Sequence, residues 1–271
     1  MKKILFVSYM IGLLWSGSAQ AENAGNIIKA SGVKGGLVVC IGADDPEFVA
    51  GLHVNDRYLV HALDVDQIID EIKKGAATRL SGYLTPHHFG YNPETPVYPH
   101  DPDMARRLLA EAGYEDGLTL VFDIPSVMPD EAPALARMMA EQYSRVGITL
   151  EIVEHSDRSA YSEMVREKRI NDAAGFDSSP RSTYRVLREK LHSGLRGPWW
   201  EGYDSEEVNS LIEEAQATIS DTERQAIYRR IYTIVRDDAP WIFLYRPTRY
   251  WGVGSAMTDW QPRADGLLVF H

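Results

Sequence analysis

One cysteine, Cys40, occurs in 271 residues. An intrachain disulfide and a cysteine-based metal site are therefore both excluded, and apolar burial must hold the fold. Past residue 21 no apolar run is long enough to cross a membrane, which takes about 20 residues. Basic residues are short too: 28 Lys and Arg stand against 39 Asp and Glu, a formal net charge of −11. That balance argues against a nucleic-acid partner. A nucleophile elbow, an H-E-x-x-H zinc motif and a phosphate-binding loop are all absent, so no enzymatic chemistry is expected. The chain has no internal repeat and no low-complexity stretch.

The chain does carry a leader pattern. Lys2 and Lys3 precede an apolar run from Ile4 to Trp15, and Ala19-Gln20-Ala21 gives an A-x-A cleavage site. Residues 1–21 are expected to be a secretory signal peptide, and the mature protein to be periplasmic. The leader holds two lysines and no acid, so its removal takes the formal charge to −13.

Residues 22–65 hold two strand candidates, "GLVVCIG" (36–42) and "RYLVHALD" (57–64), the second closing on Asp64. This strand–turn–strand segment weakly resembles the start of a class I S-adenosylmethionine-dependent methyltransferase, an incomplete Rossmann-like fragment. It departs from that pattern at Cys40, where an acid is needed, and at Asp44, where a second loop glycine is needed. No S-adenosylmethionine or other cofactor is expected to bind.

From Val65 onward helix and strand patterns alternate. "DVDQIIDEIKKG" reads as a helix with Asp64 or Asp66 as its cap, Ile68, Ile69 and Ile72 as its apolar stripe and Gly75 as its stop. A Pro-, Gly- and Tyr-rich loop (81–102) leads to "DPDMARRLLAEAGY", capped by Asp101, with Met104, Leu108, Leu109 and Ala112 inward. "LTLVFDI" (118–124) and "ITLEIVE" (148–154) read as parallel strands joined by a crossover helix ending at Gly147. A helix near 157–168, a short strand "DAAGF" (172–176) and a helix over 182–193 follow. Two further helices are capped by Ser205 and Ser220, the first with Val208, Leu211, Ile212, Ala215 and Ile219 inward, the second stopped before Pro240. "WIFLYR" (241–246) reads as a last strand.

The words "DVDQIIDEI", "HHFGYNPETPVYPHDPDMARRLLAEAGYEDG", "YDSEEVNSLIEEAQATISDTERQAIYRRIYTIVRDDAPWIFLY" and "WQPRADGL" together resemble the C-terminal part of the family 5 extracellular solute-binding proteins, over about Asp64 to Leu267. These are the peptide, nickel and glutathione receptors of ABC importers. The resemblance implies an α/β chain: one lobe of a type II periplasmic-binding-protein-like fold over 66–271, behind the short Rossmann-like fragment. It also implies non-covalent binding of a peptide or similar small ligand for an ABC permease in the inner membrane, in truncated or fused form. The alternatives are a degenerate methyltransferase-like protein and a fragment without binding function.

In peptide binders of that family an acid after the strand corresponding to "DAAGF" holds the ligand's ammonium group. Asp177 is the nearest position here, with Phe176 as an apolar wall and Ser178 beside it. Trp199, Trp200 and Tyr203 in "GPWWEGYDS" are dense, rigid aromatics able to line a pocket. The structural alternatives are that Asp177 caps a turn and that the three aromatics pack beneath their own loop. His87, His88 and His100 invite a metal reading. Adjacent histidines diverge on most backbones, however, and no carboxylate cluster shares their spacing, so no metal is expected.

Overall fold

The computed structural model describes residues 5–8, 38–41, 57–127, 129–176, 182–257 and 260–261. Two short strands, β1 (Leu5–Ser8) and β2 (Val38–Ile41), pair in parallel. The remaining elements are α1 (Arg57–His61), α2 (Val65–Lys73), β3 (Ala77–Arg79), α3 (Pro102–Glu111), β4 (Leu118–Pro125), α4 (Ala132–Ser144), β5 (Ile148–His155), α5 (Arg158–Arg166), β6 (Ala173–Ala174), α6 (Thr183–Val186) with a π-helical turn over Leu187–Leu191, α7 (Glu206–Ala217), α8 (Asp221–Asp238) and β7 (Tyr245–Pro247). β4 is the middle of a three-stranded parallel sheet in the order β5-β4-β6. β3 pairs antiparallel with β7.

Helix starts follow side-chain chemistry. Asp64 accepts the Gln67 N–H at 2.9 Å, Asp101 the Met104 N–H at 2.8 Å, and Ser205 the Val208 N–H at 3.3 Å. Each satisfies an amide that the first helical turn leaves without a partner. The expected strand over 57–64 is instead the helix α1 followed by a turn. A strand would put Tyr58, Val60 and Ala62 on one face. Here Tyr58 and Ala62, four residues apart, enter one core, and Val60 enters another. Only a helical period separates them in that way. Residues 57–64 thus do not supply the strand closing on Asp64 that the sequence suggested.

The first core lies between the sheet and α1 to α4, centred on Ile68, Leu109, Ile124, Ala136, Tyr143 and Ile148. Gln142 is buried there and ties α4 to the start of α2. Its Oε1 accepts the Asp64 N–H at 2.8 Å, and its Nε2 donates to the Gln67 Oε1 at 3.0 Å. Tyr143 is 1 % exposed and its hydroxyl has no partner among the described residues. Burial pushes that hydroxyl's pKa up. A buried, unsatisfied O–H costs about 1–3 kcal/mol of desolvation. Tyr143→Phe is therefore expected to stabilise the chain by about 1 kcal/mol, read as a higher urea midpoint at unchanged m-value. A drop in the midpoint would show that the hydroxyl is bonded.

The second core joins α7, α8 and the π-helical turn through Leu187, Leu191, Ile212, Ile231 and Val235. Two expectations fail here. Ile219 is 94 % exposed rather than inward. Helix α7 ends at Ala217, and Thr218 is already extended, so the helical stripe does not reach Ile219. The expected strand over 241–246 forms only at Tyr245–Pro247. Trp241 and Phe243 point into the second core, Leu244 and Tyr245 into the first, and Ile242 touches both. The segment is held mainly by packing, and strand pairing begins at Tyr245, where it is leaving the cores.

Candidate functional site

The carboxyl ends of β4, β5 and β6 meet at one edge of the sheet. In open α/β sheets this is the edge where ligands bind. Asp123, near the end of β4, is only 1 % exposed. Its carboxylate accepts the Asn171 backbone N–H at 2.8 Å and the Asn171 Nδ2 at 3.0 Å, and stands 2.8 Å from His155 Nε2. Asp172 returns the link by accepting the Val121 N–H at 2.7 Å. β6 has two residues, too few to hold its own register. These side chains fix it to β4.

Tyr161 of α5 clamps the next residue. Its hydroxyl lies 2.6 Å from the Gly175 carbonyl and 3.0 Å from that of Asp123. Burial, then the nearby Asp123 charge, raises its pKa, so it remains a donor. Gly175 sits where a Cβ would stand 3.2 Å from both Phe122 and Ile124. Phe176 follows, stacked at 6.4 Å on the Tyr161 ring.

Phe176 is 37 % exposed and meets Trp199 at 4.7 Å between ring centroids. The Arg158 guanidinium lies 4.8 Å over the Phe176 ring, and that of Arg166 lies 5.7 Å over Trp199. The result is an aromatic wall with cationic edges at the carboxyl end of the sheet. Such a wall can cover an apolar ligand body, and its charged rim can orient polar groups.

Trp200 and Tyr203 turn away from this wall. The Trp200 Nε1 donates to the Tyr203 carbonyl at 2.6 Å, and the Tyr203 hydroxyl donates to Asp238 Oδ2 at 2.5 Å. Tyr203 packs on the second core, and its hydroxyl pKa is raised by burial and by Asp238. These two residues anchor the loop that carries Trp199. Lys168 helps from the turn after α5, donating to the Pro198 carbonyl at 3.1 Å and pairing with Glu201 at 3.0 Å. Asp177 and Ser178 lie outside the described residues.

The three histidines go to three different places. His87 faces Arg246 at 3.1 Å, His88 Nδ1 is 2.9 Å from Thr85 Oγ1, and His100 lies 3.5 Å from Asp64. Sequence reasoning named Phe176 and Trp199 but missed Asp123, His155 and Tyr161. The available signal was the lone acid inside the apolar run "LVFDIP". A carboxylate in a strand that is otherwise buried must find donors.

The sequence signature of the bacterial extracellular solute-binding proteins, family 5 Middle, matches residues 59–182. The chain is 28 % identical over 192 residues to a heme-binding protein A of Haemophilus influenzae, covering 68 % of this chain and 34 % of that one. It is 24 % identical over 197 residues to the dipeptide-binding protein of Escherichia coli, covering 70 % and 36 %. The chain thus spans about a third of the length of these curated relatives. Among solved structures it superposes on the periplasmic binding protein DppA of Helicobacter pylori in complex with the peptide STSA, with a TM-score of 0.63, 24 % identity and coverage of 70 % and 37 %. It also superposes on the oligopeptide-binding protein AppA of Bacillus subtilis in complex with a nonapeptide, with a TM-score of 0.61, 17 % identity and coverage of 84 % and 53 %. The structural likeness is one of fold: an α/β lobe of the periplasmic-binding-protein type. Residues 59–182 thus carry the signature of the bacterial extracellular solute-binding proteins, family 5 Middle, and the fold is similar to that of periplasmic binding proteins.

Proposed function

We propose that this chain is an exported solute-binding protein that takes a peptide or similar small ligand and presents it to an ABC permease. It works by non-covalent binding, with no catalytic step. The carrying observation is the Phe176–Trp199 wall at the carboxyl end of the parallel sheet, held by Asp123 and Tyr161. The relatives' names support the ligand class: a dipeptide-binding protein, glutathione-binding proteins and di/tripeptide-binding proteins stand beside the heme-binding one. Asp177, directly after Phe176 in sequence, is assigned the ligand's ammonium group, with Ser178 beside it.

The wall is partly exposed, and an exposed ion pair contributes only about 0–1 kcal/mol. Short peptides are therefore expected to bind at roughly millimolar strength, about −4 kcal/mol. NMR titration of the chain with di- and tripeptides should move the Trp199 indole signal, and Phe176→Ala should weaken the binding several-fold. Tight binding that ignores Phe176→Ala would place the ligand elsewhere.

Export follows from the leader. Mass spectrometry of the protein recovered from the periplasm is expected to find Glu22 first. Full-length chain retained in the membrane fraction would refute cleavage after Ala21.

A further inference from the structure

A concavity borders the loop that carries Trp199. It is a cleft of ≈ 460 Å³ between the helical segment 183–191 and the loop 195–198. That volume lies in the range of small-molecule sites, about 300–1,000 Å³. Its walls are Tyr184, Leu195 and Pro198 on the apolar side and Arg185, Arg188 and Glu189 on the charged side. Arg185 is committed: its Nε donates to Glu189 Oε1 at 2.8 Å. Arg188 has no side-chain partner among the described residues. Among the described residues the cleft therefore keeps one guanidinium without a carboxylate partner, in a chain of net charge −11.

Three costly backbone features converge on this cleft. Leu187–Leu191 is a π-helical turn, a form that is rare and concentrated at functional sites. Arg196 adopts a φ of +44°, a left-handed conformation unfavourable for a residue with a side chain. Gly197 presses so closely on the π-helical turn that a Cβ would stand 2.6 Å from the Glu189 Cα. The Trp199 N–H then donates to the Glu189 carbonyl at 3.3 Å. Together these join the two walls at one end and fix their spacing, with the exposed Arg188 at the rim.

We infer that this cleft is a second ligand subsite that takes a small organic anion, a carboxylate carried on an apolar or aromatic body. The Arg188 guanidinium grips the carboxylate through paired N–H donors. Tyr184, Leu195 and Pro198 cover the body. The site is separate from the Phe176–Trp199 wall and does not depend on the function proposed for it.

The test is calorimetric titration of the full chain with 3-phenylpropanoate and with its neutral isostere 3-phenylpropanamide. The carboxylate is expected to bind saturably, and the amide and the Arg188→Gln variant to bind on the order of tenfold more weakly. Arg188 is exposed, so Arg188→Gln should keep the parent melting temperature. It should also keep the parent response to short peptides, which separates this subsite from the peptide wall. Equal binding of carboxylate and amide, or unchanged binding in Arg188→Gln, overturns the proposal. So does displacement by inorganic phosphate at equal concentration, which would reveal only a bare surface cation. Competition by short peptides would merge the two sites and overturn it as well.

Discussion

Asp123→Ala is expected to lower stability by about 3 kcal/mol or more and to pull the Phe176–Trp199 wall apart. The carboxylate is buried and engaged by two donors of Asn171 and by His155. Removing it leaves those donors without an acceptor, and each hydrogen bond to a charged group is worth about 1.5–3 kcal/mol. Asp123→Asn should cost less but remain harmful, because its amide N–H group must face one of the donors that the carboxylate accepted. Urea unfolding measures the loss, and tryptophan fluorescence reports whether Trp199 has left Phe176. Tyr161→Phe is the companion variant: it removes the donor to the Gly175 and Asp123 carbonyls, of which the second keeps the Gly175 N–H, so its cost should be near 1 kcal/mol. If Asp123→Ala proved as mild as Tyr161→Phe, the carboxylate would not be what holds β6.

Gly90→Ala should have a comparable effect for a different reason. Gly90 has a φ of +87°, and a Cβ there would stand 2.3 Å from the Tyr228 Cβ, an atom fixed on helix α8. A left-handed backbone costs an L-residue about 1–2 kcal/mol, and overpacking adds about 1–3. The neighbouring contacts would shift as well: Phe89 lies edge-on to Tyr228 at 5.9 Å, and its carbonyl accepts the Thr183 hydroxyl at 2.5 Å. Gly75 supplies the control. Its φ is +77° but nothing lies within 4 Å of its would-be Cβ, so Gly75→Ala should show the backbone cost alone. Equal midpoints for the two variants would mean that the Tyr228 contact yields without cost.

Much of the fold could be read from local chemistry. Caps at Asp64, Asp101, Ser205 and Ser220, and the strand–helix–strand unit from Leu118 to His155, are set by residues close in sequence. The misreadings at 57–64 and 241–246 share a cause. Both are apolar runs, and an apolar run is ambiguous until the number of cores it feeds is known. The aromatics in the loop were equally ambiguous. Trp199 reaches Phe176 while Trp200, one residue on, is turned inward by its bond to the Tyr203 carbonyl. Nothing in "PWWEGY" distinguishes the two indoles. The link from Asp123 to Asn171 spans 48 residues and has no local signature beyond the misplaced acid.

The way α1 and the segment 241–245 each feed both cores bears on how the molecule comes apart. Two cores with separate helices would ordinarily melt as separate units. Here Val60 and Phe243 are held by one core while Tyr58 and Leu244, close by on the same two segments, are held by the other. Loosening either core therefore drags on segments that the other still grips, and the penalty is shared. Unfolding should then be cooperative, with tyrosine and tryptophan probes in the two halves reporting one transition. Proteolytic nicking at 241–245 would leave α1 as the remaining tie of the two and should broaden that transition.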